Sequence, residues 1–275
     1  MRFGPILTPE AEGAILAHSQ PLASGKLPKG HRLQTADLVR LQAEGVTTVI
    51  ACRLEPGDLM EDEAADRLSA AIEPRGLTRS PASTGRVNFY ASANGLFRAN
   101  RTLVDRFNAV DPAITLACLA DRRDVRAGDL VATVKIIPLA VAGARVAEAA
   151  ALLQEVIAFE VAPYCRHRVH LVATHLPSLK PSVMDKTTRV LEARLAPSAS
   201  RLASEHRVPH RADAVADAIR ASLNDRAAVE DGPPLIVVFG ASAVADADDV
   251  IPSAIRLAGG VVDQVGLPVD PGNLL

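Results

Sequence analysis

The chain has no tryptophan, only 3% aromatic residues and three cysteines in 275 residues. Each shortage removes a class of protein. With so few rings there is little to stack nucleobases on, and 30 Lys+Arg against 32 Asp+Glu, a formal net charge of -2, leaves no global basic field to follow a phosphate backbone. Nucleic acid is therefore not expected as a partner. Cys52, Cys118 and Cys165 stand far apart with no C-x-x-C pair, which argues against a disulfide framework or a zinc knuckle and fits a reducing cytoplasm. No run approaches the roughly 20 apolar residues of a membrane span. Glu10 and Glu12 interrupt the start before a secretory core could form. A soluble cytoplasmic protein with no membrane partner is expected.

What remains is a 48% hydrophobic chain whose core must be built from Ala, Val, Leu and Ile, at a length suited to about two domains. In the first part, Glu10 to His18 reads as a short helical or extended apolar piece and Ser24 to Gly30 as a surface loop. Thr35 is placed to cap a helix carrying Leu38, Val39 and Leu41, Gly45 to stop it, and Val46 to Cys52 to follow as a strand. Glu61 to Ile72 reads as an amphipathic helix whose Glu61, Asp62, Glu63 and Asp66 form a solvated face. Strands are expected at Arg86 to Ala91, Ile114 to Ala120 and Leu130 to Ile137, the last two joined as a hairpin. Helices are expected near Leu103 to Asn108 and over Val146 to Ile157. Asn88, Asn94, Asn100 and Asn108 read as structural amides.

Beyond Pro163 the pattern changes to regular alternation. Strands Val169 to Thr174, Leu202 to Val208, Leu235 to Phe239 and Val261 to Val265 alternate with helices Val183 to Leu195, Ala212 to Leu223 and Val250 to Ala258. The spacing predicts an α/β fold: an α+β N-terminal region over 1–163 and a C-terminal α/β domain over 164–275 with a mostly parallel sheet. Ligands of such sheets sit beyond the carboxyl ends of the strands, so loops His175 to Ser182 and Gly240 to Asp249 should line the site.

The strongest local signal is the apolar strand that runs into Gly240-Ala241-Ser242-Ala243. Small side chains there let backbone N–H groups approach a phosphate or a flat ring, ahead of a helix N-terminus. Asp246, Asp248 and Asp249 could hold Mg²⁺ beside a substrate phosphate, and Asp246 or Asp249 could equally cap the helix. In the other loop Lys180, Ser182 and Lys186 can meet an anion, while Asp185 either joins them or completes a capping box begun by Ser182. A histidine metal centre is not expected: His167 and His170 fall on opposite faces of a strand, and Pro209 spoils a helical His206/His210 pair. Nor is serine-hydrolase chemistry, because G-x-S-x-G is absent. A nicotinamide site, with Asp263 as its ribose carboxylate, lacks G-x-G-x-x-G and Tyr-x-x-x-Lys.

Gly240-Ala-Ser-Ala-Val-Ala-Asp246-Ala-Asp248-Asp249, then Gly259-Gly260, then Val269-Asp270-Pro271-Gly272-Asn273, resembles the molybdopterin-binding domain of molybdenum-cofactor biosynthesis proteins, such as molybdopterin molybdotransferase and the gephyrin E domain. The family pattern is G-G-x-S-x-G-D-x-D, a helix, Gly-Gly and a strand ending near Pro-Gly. Leu27 to Asp37 and Gly45 to Ile50 resemble the segment that precedes this domain. The resemblance implies a three-layer α/β/α fold that binds molybdopterin, a pterin dithiolene monophosphate. The cofactor contacts would be Thr174, Lys180, Ser182, Asp185, Lys186, Gly240, Ala241, Ser242, Ala243, Pro271 and Gly272. Asp246 and Asp249 would be catalytic in Mg²⁺-dependent molybdate insertion, with Asp246 and Asp248 on the metal. Ala241 and Ala245 stand where the family has glycines. The alternatives are a non-catalytic carrier that passes cofactor to a molybdoenzyme or nucleotidyltransferase, and an NAD-dependent oxidoreductase. A homo-oligomer is the family's default.

Overall fold

The computed structural model describes residues 1–23, 25–224 and 234–267. The fold is mixed α/β and divides into two compact units, Met1–Pro163 and Tyr164–Leu275.

The first unit is antiparallel throughout. One sheet orders strands Ile114–Cys118, Leu130–Ile136, Arg86–Ala91 and Leu77–Arg79, and a second orders Arg123–Val125, Gly95–Ala99 and Phe159–Pro163. Alternation explains them: in Arg86–Ala91, Val87, Phe89 and Ala91 are buried while their neighbours are not. The inward faces, with helices Glu61–Ala70, Arg101–Asn108 and Gly143–Glu155, enclose one large core. Phe159 meets Phe89 edge-on at 5.3 Å between ring centroids and lies 6.0 Å from Phe97, which ties the two sheets together. Ile114–Cys118 and Leu130–Ile136 pair antiparallel, but their connection is no simple hairpin, since Arg123–Val125 within it joins the other sheet.

A smaller core lies near the start of this unit. Strand Thr48–Arg53 sits between Arg2–Leu7 and Ile15–Leu16, and helix Thr35–Ala43 packs Leu38 and Leu41 among Ala11, Leu16, Leu33, Val49 and Ala51. The segment Glu10 to His18 is thus partly a short strand rather than a helix. Thr35 does not cap the helix. Gln34 does, in a reciprocal box with Asp37, and the Gln34 backbone N–H donates to Asp37 Oδ2 at 3.0 Å. Gly45, with φ +77°, ends the helix as expected. The acidic helix face is more than wet surface: Asp62 accepts from the Gly85 N–H, and Asp66 pairs with Arg79 at 2.9 Å. The side chains of Asn94, Asn100 and Asn108 brace backbone, while that of Asn88 bonds the Tyr90 and Thr133 side chains; Asn108, for example, accepts from Leu116 N at 2.7 Å and donates to its carbonyl at 2.9 Å.

The second unit holds the one parallel sheet among the described residues. Strand Arg168–His175 lies between Arg201–Pro209 and Leu235–Phe239 and runs parallel to both. The connection to Arg201–Pro209 steps to one side and the next connection steps back across to the other. Right-handed crossovers then send helices Pro181–Leu195 and Ala212–Leu223 to opposite faces. The packing agrees. Met184 and Leu191 meet Val169, Leu171 and Ala173 on one face, while Val215, Ala216 and Ile219 join Val172 and, from helix Val250–Leu257, Ala254 on the other. Val261 to Val265, expected as a fourth strand, is not one. It follows a positive-φ Gly259, pairs with no edge among the described residues, and leaves Val261 89% exposed.

Candidate functional site

In a parallel sheet all carboxyl ends share one edge, here His175, Pro209 and Phe239. The helix that follows Arg168–His175 packs on one face and the helix that follows Leu235–Phe239 on the other, so the two loops diverge over adjacent strands, which is where ligands of such sheets sit. Thr174 sits at that point and is 2% exposed. Its hydroxyl accepts from the Ala241 N–H at 2.7 Å and donates to the Phe239 carbonyl at 3.3 Å. It also lies 2.9 Å from His210 Nδ1. His210 Nε2 in turn lies 3.1 Å from Ser242 Oγ, and the His210 N–H donates to the His175 carbonyl at 3.0 Å. One buried hydroxyl therefore joins the ends of all three strands.

Gly240 makes the turn possible. A Cβ there would stand 2.8 Å from the Ser242 carbonyl oxygen, closer than real side chains come. Thr174, Gly240, Ala241 and Ser242 are thus brought together as expected, with Ala243 next along the loop. His210 is the member read from the sequence only as a candidate metal ligand, paired with His206.

The acidic run behaves differently. Asp249 caps helix Val250–Leu257: its carboxylate accepts from Val250 N at 2.6 Å and from Ala245 N at 3.0 Å. Those two N–H bonds, helped by the nearby charge of His210, hold the Asp249 carboxyl below its usual range. Asp248 pairs with Arg256 at 3.2 Å, and Asp246 Oδ1 accepts from Asp248 N at 2.8 Å. Arg256 and Ala247 also line a hollow of about 400 Å³ with Gly260 to Val265. Each of the three carboxylates thus has a protein partner, and among the described residues no three His, Cys, Asp or Glu side chains gather as a metal site. Asp249 uses both carboxylate oxygens in the cap, while Asp246 and Asp248 each use one.

On the opposite loop, Lys180, Ser182 and Lys186 are exposed around the start of helix Pro181–Leu195. Lys180, not Ser182, is the N-cap, because Pro181 takes the first helical position. Asp185 therefore completes no capping box. It pairs with Arg207 at 2.7 Å, and the bonds from Glu205 and Asp185 push the Arg207 guanidinium further up. Asp263 lies in the non-strand segment, so no strand end presents it to a ribose. Pro271 and Gly272 lie outside the described residues. The cysteines are free, with Cys52 buried and Cys165 exposed. No helix among the described residues is long and apolar enough to cross a membrane.

A family model described as a domain of unknown function (DUF8806) matches residues 5–53. That span contains the small N-terminal core around Leu41 and Val49 and none of the parallel sheet. No curated protein and no solved structure matches the chain.

Proposed function

We propose that the second unit is a molybdopterin-binding module of molybdenum-cofactor metabolism, with a three-layer α/β/α architecture, and that it acts as a carrier rather than as a molybdate-inserting enzyme. The observation that carries the reading is the strand-end junction at Thr174, whose hydroxyl pins the Gly240–Ser242 turn from beneath. Such a turn offers backbone N–H groups to a terminal phosphate, and the exposed Lys180 and Lys186 supply charge from the other loop. The carrier reading rests on the carboxylates. Asp249 has both oxygens occupied in capping, and Asp246 and Asp248 each have one oxygen engaged, which leaves one oxygen on each of two residues to serve a metal. No step through Mg²⁺ follows. Delivery would be to a molybdoenzyme or a nucleotidyltransferase, by a cytoplasmic homo-oligomer.

Anaerobic titration of the full chain with molybdopterin tests this. Micromolar or tighter binding, unchanged by Mg²⁺ and by Asp246→Ala, is the expected result. A Mg²⁺ effect that disappears in Asp246→Ala, together with turnover of molybdate, would replace the carrier by an insertion enzyme. Failure of the folded protein to bind would remove both.

A further inference from the structure

We propose that Ser242 is a nucleophile, with His210 as its general base and Thr174 as the group that orients the base, in a site that cleaves small carboxylic esters. The inference goes beyond molybdopterin binding and does not rest on it.

The argument turns on where one proton goes. The Thr174 hydroxyl has a single proton and three polar neighbours. The Ala241 N–H can only donate to it, and the Phe239 carbonyl can only accept from it. With that proton on Phe239, His210 Nδ1 must be the donor to Thr174 Oγ1. The neutral ring then carries its hydrogen on Nδ1 and leaves Nε2 bare, 3.1 Å from Ser242 Oγ, so the serine hydroxyl donates to it. This is the tautomer a general base needs: nucleophile to base, base to a third group that fixes the ring. The burial gradient fits the roles. Thr174 is 2% exposed and held from three sides, His210 is half-buried, and Ser242 is exposed where a substrate can reach it. The Asp249 carboxylate lies near enough to His210 to interact with an imidazolium as it forms.

In the acylation step a bond forms between Ser242 Oγ and the ester carbonyl carbon, while the hydroxyl proton passes to His210 Nε2. The carbon–oxygen bond to the leaving alcohol then breaks, and the alkoxide departs with that proton as an alcohol. Water attacks the acyl-serine in the reverse sense, loses a proton to His210, and releases a carboxylic acid and the free hydroxyl. Backbone N–H groups of the Ser242–Val244 turn are the candidates to receive the oxyanion, since that of Ala241 is committed to Thr174. Sequence reasoning set this chemistry aside because G-x-S-x-G is missing. The base, however, arrives from a different strand end and needs no local motif.

The test is a fluorophosphonate probe on the full chain, with the labelled residue located by peptide mass spectrometry and p-nitrophenyl acetate as a turnover substrate. The serine oxygen displaces fluoride from phosphorus, so labelling reads the nucleophile without any pterin present. Expected are a single adduct on Ser242, its loss in Ser242→Ala, and a fall in labelling rate of roughly 100-fold or more in His210→Gln. Thr174→Val should slow labelling, and Thr174→Ser, which restores the hydroxyl, should rescue it. Circular dichroism establishes that each variant is folded. No adduct on the folded wild-type chain, or an adduct whose rate His210→Gln leaves unchanged, would overturn the proposal. Neither result would bear on molybdopterin binding.

Discussion

The two units use buried residues for different ends. The fully buried phenylalanines, Phe89, Phe97, Phe107 and Phe159, all belong to the first unit. In the second, the buried core is aliphatic with one Met and no aromatic ring, and Leu176, Val183, Leu235, Phe239 and Leu257 are each at least 36% exposed. The first unit closes antiparallel sheets around aromatic rings, and its Asn108 and Asp62 serve backbone. The second has a three-stranded sheet and places a buried polar group, Thr174, at its carboxyl edge. The first unit thus packs around rings, and the second bonds its strand ends through a hydroxyl.

The sharpest break of that contrast is Phe159→Ala. The ring meets Phe89 and Phe97 and is 1% exposed, so its removal should cost about 3–5 kcal/mol, more than a Val→Ala change at Val172 or Val215 in the second unit. Urea denaturation gives the total, and peptide-level hydrogen exchange should place the loss of protection in residues 86–136. Equal exchange in 168–175 would mean that the units do not divide the work in this way.

Thr174→Val probes the other side with a smaller expected effect. The change is nearly isosteric but leaves the Ala241 N–H and the Phe239 carbonyl without their partner, at a cost of about 1–3 kcal/mol. Hydrogen exchange should rise locally at 239–243, with the first unit unaffected. Thr174→Ser should recover most of the loss. If Val is silent, the hydroxyl is not what holds the turn.

The same contrast explains what could be read from the chain alone. The alternation beyond Pro163 was legible because its helices and strands are long enough to show their periods; Leu235–Phe239 occupies the expected residues, and Ala212–Leu223 does too. Strands of three residues, such as Asp58–Met60, Leu77–Arg79 and Arg123–Val125, carry too few positions for alternation to register. Val261 to Val265 misled because an apolar run after Gly-Gly looks like a strand whether or not an edge is there to receive it. In the site, Gly240 and Ser242 were visible from the strand–turn pattern. His210 was not, since it lies 36 residues from Thr174 and 32 from Ser242. The usable signal was positional: a histidine just past the end of a strand, in a sheet whose strand ends all meet.

The smallest expected effect returns to the first unit and asks whether any of its polar contacts responds to pH. Burial works to raise the Asp37 carboxyl, but bonds from His31 at 2.7 Å and from the Gln34 N–H at 3.0 Å, with the charges of His31 and Arg40, outweigh it and hold the group below its usual value. A carboxyl depressed in the folded state binds fewer protons there than in the unfolded chain. Its contribution is therefore complete above the unfolded value of about 3.9 and is lost as pH falls through the lower folded value. Asp37→Asn should lower the melting temperature at pH 7 by the equivalent of roughly 1 kcal/mol, the net worth of one hydrogen bond. The gap to wild type should begin to narrow as pH falls below about 4 and close only below the lowered native value, where the native carboxyl is protonated as well. A gap that does not narrow at all as pH falls from about 4 to about 2 would show that the residue acts through packing and neutral capping geometry alone.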